Sequence, residues 1–191
     1  MKSVIDLCFI VYLIIINIKS MKNNLLFLTM SVISLTGFAQ FGVSGGYVSS
    51  TEKYSDDEGS DSISGIDGFN LGVTYTLDIN DTFQLRPEVH FVSVSYDDET
   101  MNGLLAPIPV LYGVGDGITL QFGPTLGLSL EESFEDYTNF AFGAVLGVSY
   151  AFNDSVYGQL RYLPQLSNSY TGGEDFKVRT NTLSLSIGYN F

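Results

Sequence analysis

The chain ends on the stretch TNTLSLSIGYNF, residues 180–191, in which apolar and small polar side chains alternate strictly. The apolar positions are Leu183, Leu185, Ile187, Tyr189 and Phe191. Only Thr, Ser, Gly and Asn stand between them, and the stretch carries no charge. A period of two residues is typical of a β-strand with two unlike faces. The absence of charge indicates that neither face meets bulk water in the usual way.

Seven further segments of the chain also have strand character, and none of the eight has helical periodicity. The eight segments cover approximately 41–51, 66–78, 82–96, 104–114, 117–130, 138–152, 155–163 and 180–191. Many short strands with frequent turn signals favour a barrel or a sandwich over a parallel α/β sheet.

The connections between these segments alternate between short and long. The short ones contain NDT, GDG and ND, which are tight hairpin turns rich in Asn, Asp and Gly. The long ones are 52–65, 97–103, 131–137 and 164–179. A transmembrane β-barrel has short periplasmic turns at one rim and longer extracellular loops at the other. The pattern therefore predicts that both chain termini lie on the periplasmic side.

The composition of the polar face distinguishes between two kinds of barrel. In 117–130, Ile118, Leu120 and Phe122 alternate with Thr, Gln, Gly and Ser, and these small polar side chains suit a narrow lumen. We therefore predict an all-β fold, an eight-stranded antiparallel up-and-down transmembrane β-barrel whose apolar face meets lipid. The last strand must pair with the first, because an open sheet edge is not tolerated in hydrocarbon.

Residues 1–39 are predicted to be a leader, and 40–191 to be the outer-membrane β-barrel domain. The apolar runs of the leader are 12 residues long, shorter than the roughly 20 residues of a membrane-spanning helix. Segment 21–39 has the features of a secretory signal peptide, with Gly37 and Ala39 at the −3 and −1 positions. Residues 1–20 then represent an over-extended start. An uncleaved anchor, or two helices that turn back on each other, is the alternative.

The charge of the barrel domain is strongly acidic. Removal of the leader takes away three Lys and one Asp from totals of 8 and 21, leaving 5 basic and 20 acidic residues. A net charge of −15 argues against nucleic acid as a partner. The single cysteine, Cys8, lies in the leader, so the barrel has neither a disulfide nor a thiolate metal site. Nothing in the sequence predicts a cofactor.

Three short motifs in the middle of the chain resemble the PorT-like outer-membrane β-barrel family of the Bacteroidota. They are Arg86-Pro87-Glu88, Ile108-Pro109-Val110-Leu111-Tyr112 and Phe122-Gly123-Pro124-Thr125-Leu126-Gly127. Members often carry a lysine beside the tyrosine of the second motif, whereas Leu111 and Gly113 stand there in this chain. The resemblance implies an eight-stranded barrel in the cell outer membrane and says little about activity.

Alternation places a group of polar side chains on the inner face. The predicted lumen cluster comprises Arg86, Glu88, His90, Gln159 and Arg161. Charges at membrane depth usually face inward and pair with each other, so we interpret the cluster as salt bridges that fill the interior. A proton or ion path is the alternative. His90 is the only histidine, and because no serine can be placed beside it, no catalytic residue is assigned.

Two further groups of residues are singled out by the sequence. The long connections hold 14 of the 21 acidic residues, and a weak divalent-cation loop is predicted from Asp56, Asp57, Glu58, Asp61, Asp97, Asp98 and Glu99. A solvated loop without bound metal is the alternative. Tyr189 and Phe191 resemble the C-terminal signal by which the barrel assembly machinery recognises outer-membrane proteins. An aromatic girdle at the membrane interface also accounts for them.

These features predict a non-enzymatic outer-membrane barrel with acidic extracellular loops and a structural, adhesive or accessory role. Its expected partners are outer-membrane lipid and lipopolysaccharide, the assembly machinery during insertion, and an extracellular ligand of unknown kind. A lipid-modifying barrel enzyme and an accessory component of a secretion system are the alternatives.

The leader prediction has a direct test. N-terminal sequencing of the protein from purified outer membranes is expected to begin at or near Gln40, because cleavage follows Ala39. A start at Met1 or Met21 would contradict the predicted signal peptide.

Overall fold

The computed structural model describes residues 39–56, 59–97, 99–131, 136–173 and 176–191. Within these ranges the strands are β1 (Ala39–Ser55), β2 (Ser60–Asp78), β3 (Phe83–Leu85), β4 (Glu88–Tyr96), β5 (Glu99–Pro107), β6 (Val110–Gly115), β7 (Ile118–Ser129), β8 (Phe140–Ala151), β9 (Val156–Pro164) and β10 (Lys177–Asn190). The described part of the chain contains no helix that is long and apolar enough to cross a membrane. The leader prediction falls outside these residues, except for Ala39.

The strands form one antiparallel sheet that closes on itself. Around the ring the order is β1, β10, β9, β8, β7, β5, β4 and β2, and β2 pairs again with β1. The closing pair of β1 and β10 is long, with its register running from Gly42 opposite Asn190 to Ser55 opposite Lys177. The predicted pairing of the last strand with the first is therefore confirmed, as is the all-β antiparallel up-and-down architecture.

Two of the eight predicted strands are each divided in two at a proline. Arg86 and Pro87 separate β3 from β4, and Ile108 and Pro109 separate β5 from β6. Proline has no N–H group to donate to a neighbouring strand, so the regular ladder stops there. Hydrogen bonds continue around the ring at this level, because Arg86 N donates to Pro109 O and Ile108 N donates to Pro124 O, both at 2.9 Å. Each divided pair consequently acts as one strand of the ring.

The prediction of a long loop is wrong for two of the four connections, because strands cover most of their residues. The connection predicted at 52–65 is mostly an extension of β1 and β2, which leaves only 56–59 between the strands. The connection predicted at 97–103 is reduced to 97–98, because β5 begins at Glu99. Cross-strand hydrogen bonds continue into these polar segments, although their sequences lack the apolar alternation that marks the rest of each strand.

The remaining two connections, 130–139 and 165–176, are long in the structure. They contact each other through the rings of Tyr137 and Tyr170, whose centroids are 5.4 Å apart in an edge-on arrangement. Thr171 N also donates to Asp136 O at 2.7 Å. The rim that carries these connections and the β1–β2 extension is called the loop rim below, and the opposite rim is called the turn rim.

Alternation along the strands separates the two sides of the barrel. On β10, Leu185 and Ile187 are 61% and 64% exposed, while Ser184 and Ser186 face inward at 5% and 2%. The other strands follow the same rule, with aliphatic and aromatic side chains outside and mainly polar ones inside. An outer surface of this kind matches hydrocarbon, as in a transmembrane barrel.

Replacing Leu185 by Arg tests whether this outer face meets lipid. An Arg near the bilayer midplane of such a barrel costs about 2–4 kcal/mol, whereas one near the interface costs about 0–1 kcal/mol. We therefore expect L185R to lower the free energy of unfolding in lipid vesicles far more than L130R, which alters an exposed leucine of the loop rim. Equal costs in the two variants would argue against a lipid-facing position for Leu185.

Candidate functional site

A buried ion pair crosses the lumen between β4 and β9. Arg161 Nη1 and Nη2 donate to the two oxygens of Glu88, each at 2.6 Å. The two strands are four places apart in the ring of eight, so the bond joins opposite walls of the barrel. Both residues are only 3% exposed. A two-point arginine–carboxylate contact fixes orientation as well as charge, because two parallel hydrogen bonds define the plane of both groups.

Neighbouring polar side chains complete the coordination of this pair. His90 Nε2 lies 2.6 Å from Glu88 Oε2, and Arg161 Nε donates to Gln121 Oε1 at 2.6 Å. Gln121 Nε2 in turn donates to Gln159 Oε1 at 3.4 Å. The hydrogen-bonding groups of a buried charged pair need partners of their own, and this network supplies them.

Arg86 forms a second contact across the lumen. Its guanidinium carbon lies 4.7 Å from the ring centroid of Tyr157, on the opposite strand. Arg86 Nε donates to Thr76 Oγ1 at 3.0 Å, whereas Nη1 is buried without a hydrogen-bond partner among the described protein atoms. These residues line a cavity of ≈ 200 Å³ toward the turn rim, which is roomy enough for water to hydrate the guanidinium.

Glycines on the inner face make room for the large polar side chains. Gly72 is opposite His90, and a Cβ atom there would lie 2.5 Å from His90 Nδ1. Gly147 is opposite Arg161 in the same way, and a Cβ atom there would lie 2.8 Å from Arg161 Cγ. Sequence reasoning recognised the inner face as small but did not pair each glycine with a bulky partner. That pairing depends on the strand register.

The cavity that lies beside the cluster is small. The cavity beside His90, Gln159 and Arg161 has a volume of ≈ 20 Å³. This is about the space that one water molecule needs. Within the described residues, the His90 ring is bonded to Glu88 and not to a serine hydroxyl, which a nucleophile-activating pair would require. The arrangement can therefore hold the walls together, and it lacks the geometry of a Ser–His catalytic pair.

All five residues of the predicted lumen cluster lie on the inner face. The network described above joins Glu88, His90, Gln159 and Arg161, while Arg86 belongs to the separate contact with Tyr157. Sequence reasoning missed Gln121, which bridges Arg161 and Gln159. The alternation of residues along β7 already placed Gln121 on the inner face, but the sequence did not show which residues it would contact.

The predicted cation loop is only partly described. Asp57, Glu58 and Asp98 lie outside the described residues. Of the described acids, Asp56 accepts a hydrogen bond from Gly59 N at 2.8 Å, and Asp61 accepts one from Ser62 N at 2.7 Å. Within the described ranges, no group of three or more His, Cys, Asp or Glu side chains could hold a metal ion. Weak calcium binding stays a prediction.

The loop rim also contains a tyrosine that is held in place by an acid. Tyr54 OH donates to Glu52 Oε2 at 2.8 Å, and the Tyr54 ring stacks on Phe176 with centroids 6.2 Å apart. Burial, and after it the hydrogen bond to Glu52, raises the pKa of Tyr54 above its ordinary value. The Tyr54 phenol therefore stays protonated, and continues to donate to Glu52, up to a higher pH than an ordinary tyrosine.

The two residues of the predicted C-terminal signal lie on the outer face. Tyr189 and Phe191 are exposed, and their rings meet edge-on with centroids 5.2 Å apart. Phe191 N donates to Phe41 O at 2.8 Å, which ties the last residue to the first strand. The position suits both an interfacial aromatic girdle and a recognition signal.

Comparison with solved structures shows the same fold. The chain is similar to Ail, the attachment invasion locus protein of Yersinia pestis, with a TM-score of 0.54 and 16% identity over 81% of this chain and 99% of that one. It is also similar to Neisserial surface protein A, with a TM-score of 0.52 and 20% identity over 80% and 99% of the two chains. The comparison with curated proteins finds no match.

The sequence also matches a family model directly. The model describes the outer membrane protein beta-barrel domain, and the match extends over residues 25–191. This range contains every strand of the closed sheet and all residues of the lumen network. The chain therefore belongs to the outer membrane protein beta-barrel domain family.

Proposed function

We propose that this protein is a non-enzymatic outer-membrane barrel that is closed to diffusion and acts through its loop rim. The observation that carries the proposal is the two-point Glu88–Arg161 ion pair, which spans the lumen from opposite strands. A barrel of about eight strands has an interior just wide enough for its side chains to fill. The charges in this interior hold the walls together, and little space remains for a solute beside them.

The proposed role is structural, adhesive or accessory, with the loop rim outside the cell and both termini in the periplasm. Support for this orientation comes from the short turns at one rim and the longer extensions at the other. The proposal includes insertion by the barrel assembly machinery, with Tyr189 and Phe191 as the recognised end. It also includes cleavage of the leader before the barrel assembles.

We also propose that the protein belongs to the PorT-like outer-membrane β-barrel family of the Bacteroidota. The three motifs that carry this resemblance lie side by side on neighbouring strands. Arg86 N bonds to Pro109 O, and Ile108 N bonds to Pro124 O. The motifs thus form one structural unit at the height in the barrel where prolines interrupt the regular hydrogen bonding between strands. An accessory role in a secretion machine would agree with this assignment, and stable partners in affinity purification would support it.

Replacing Glu88 by Ala tests the closed-lumen proposal. Removing one partner of a buried ion pair costs about 3–5 kcal/mol, because the other charge is left without compensation. We expect E88A to lower the temperature at which heating shifts the mobility of the protein on a gel. The conductance of planar bilayers that contain E88A is expected to stay at background. As a control, D81A alters an exposed carboxylate of the turn rim and is expected to change stability by less than about 0.5 kcal/mol. A large new conductance without loss of stability would indicate a gate instead.

Single cysteines test the orientation. The barrel domain contains no native cysteine, so S62C at the loop rim and S155C at the turn rim can each be labelled selectively. We expect an impermeant maleimide to label S62C on intact cells, and S155C only after the outer membrane is permeabilised. The unmodified chain provides the background. The opposite labelling pattern would place the loop rim in the periplasm and overturn the proposed orientation.

A further inference from the structure

The three exposed cations of the barrel domain lie together at one place on the loop rim. Of its five Lys and Arg residues, Arg86 and Arg161 are buried in the lumen, and the remaining three are Lys53, Lys177 and Arg179. All three line one groove of ≈ 720 Å³ between the β1–β10 pair and the end of β9. In a domain with a net charge of −15, this concentration of positive charge stands out from the surrounding surface.

The register brings two of these like charges directly opposite each other. Lys53 on β1 pairs with Arg179 on β10, and Lys177 follows two residues along. Like charges at directly opposed positions of an antiparallel pair destabilise the sheet. Among the described residues, the ion pair that an Arg or Lys side chain forms is the one between Arg161 and Glu88, and it involves none of these three cations. Asp61 also lines the groove, and it accepts a hydrogen bond from Ser62 N.

The groove faces the same side as the lipid-exposed residues. Arg179 and Lys177 share the outward parity of Leu183 and Leu185 on β10, and the exposed side chains of Tyr162 and Leu166 form part of the lining. An occupant would therefore meet positive charge at the top and an apolar surface below it. This combination matches an acylated, anionic lipid better than a soluble anion.

The height of the cations above the membrane agrees with this match. Arg179 precedes Phe191 by twelve residues on the closing strand, which is about 40 Å at about 3.3 Å per residue. A strand tilt of about 40° reduces this to about 30 Å along the membrane normal, whereas the apolar band of such barrels is about 25 Å tall. If Phe191 marks the inner interface, the cations lie just beyond the outer one, at the depth of lipid headgroups.

We propose that Lys53, Lys177 and Arg179 form a binding site for the phosphate groups of lipid A, the phosphorylated glycolipid of the outer leaflet. Arginine and lysine both bind phosphate oxygens, and a bound phosphate would offset the repulsion between Lys53 and Arg179. The acyl chains would continue down the outer face along Leu183 and Leu185. The identity of the leaflet rests on the proposed orientation, which cysteine labelling tests separately from lipid binding.

The test measures lipid binding to the folded protein purified from outer membranes in detergent. Native mass spectrometry compares bis-phosphorylated lipid A with the same lipid after dephosphorylation. We expect the phosphorylated form to bind at least about tenfold more tightly, since each basic residue at a charged lipid surface contributes roughly fivefold in affinity. Equal binding of the two lipids by the unmodified protein would overturn the proposal without reference to any variant.

A pair of double variants then locates the site. K53Q/R179Q is expected to weaken binding of phosphorylated lipid A roughly 25-fold, because two basic residues are lost at roughly fivefold each while Lys177 remains. The matched control, N80D/N153D, changes the net charge by the same two units at the turn rim. Its aspartates keep the side-chain oxygen that accepts the backbone N–H groups of each turn. We expect the control to bind as the unmodified protein does, and equal losses in both variants would overturn the site.

Competition with two soluble anions tests whether the site prefers lipid A to other anionic ligands. Millimolar inorganic phosphate and a sulfated oligosaccharide are each added as competitors. We expect neither to displace lipid A, because neither supplies acyl chains for the apolar surface below the cations. Displacement by inorganic phosphate would indicate a general anion site, and displacement by the oligosaccharide would indicate a glycan site. Either result would overturn the assignment to lipid.

Discussion

The constraint on which the structure depends is that hydrocarbon offers no hydrogen bonds to the backbone. Every N–H and C=O group at membrane depth must then find a partner within the protein. The sheet meets this requirement by pairing β1 with both β10 and β2, so that no strand is left with a free edge. The segments that contain prolines also meet this requirement, because the carbonyls of Pro87, Pro109 and Pro124 each accept a hydrogen bond from the neighbouring strand that precedes them in the chain.

Closure in turn determines what the interior can contain. A ring of eight strands leaves a narrow lumen, so a large side chain needs a small residue beside it on the neighbouring strand. Gly72 facing His90 and Gly147 facing Arg161 satisfy this requirement. The lumen therefore holds a few large polar groups in fixed positions, and their charges compensate each other across the barrel. The ring of eight strands thus both removes the free sheet edges and leaves a lumen that its own side chains fill.

Much of this was predictable from the sequence, because a period of two residues specifies both face and fold. Parity alone put Glu88 and Arg161 on the inner face and Leu185 on the outer face. Register could not be predicted, since it depends on how the strands are staggered around the ring. The opposition of Lys53 and Arg179, the glycine partners and the role of Gln121 all depend on register. The extension of β1 and β2 to 56–59 was missed because backbone pairing sustains it without apolar alternation.

The ion pair across the lumen also has a consequence for the route of assembly. Glu88 and Arg161 are separated by 73 positions in the chain and lie on opposite strands, so they meet only when the ring is nearly complete. Hairpins that entered hydrocarbon one at a time would carry these charges without compensation, at a cost of several kcal/mol for each ion. The energetics favour a pathway in which the charges remain hydrated until the walls come together. Insertion and ring closure would then be a single concerted event.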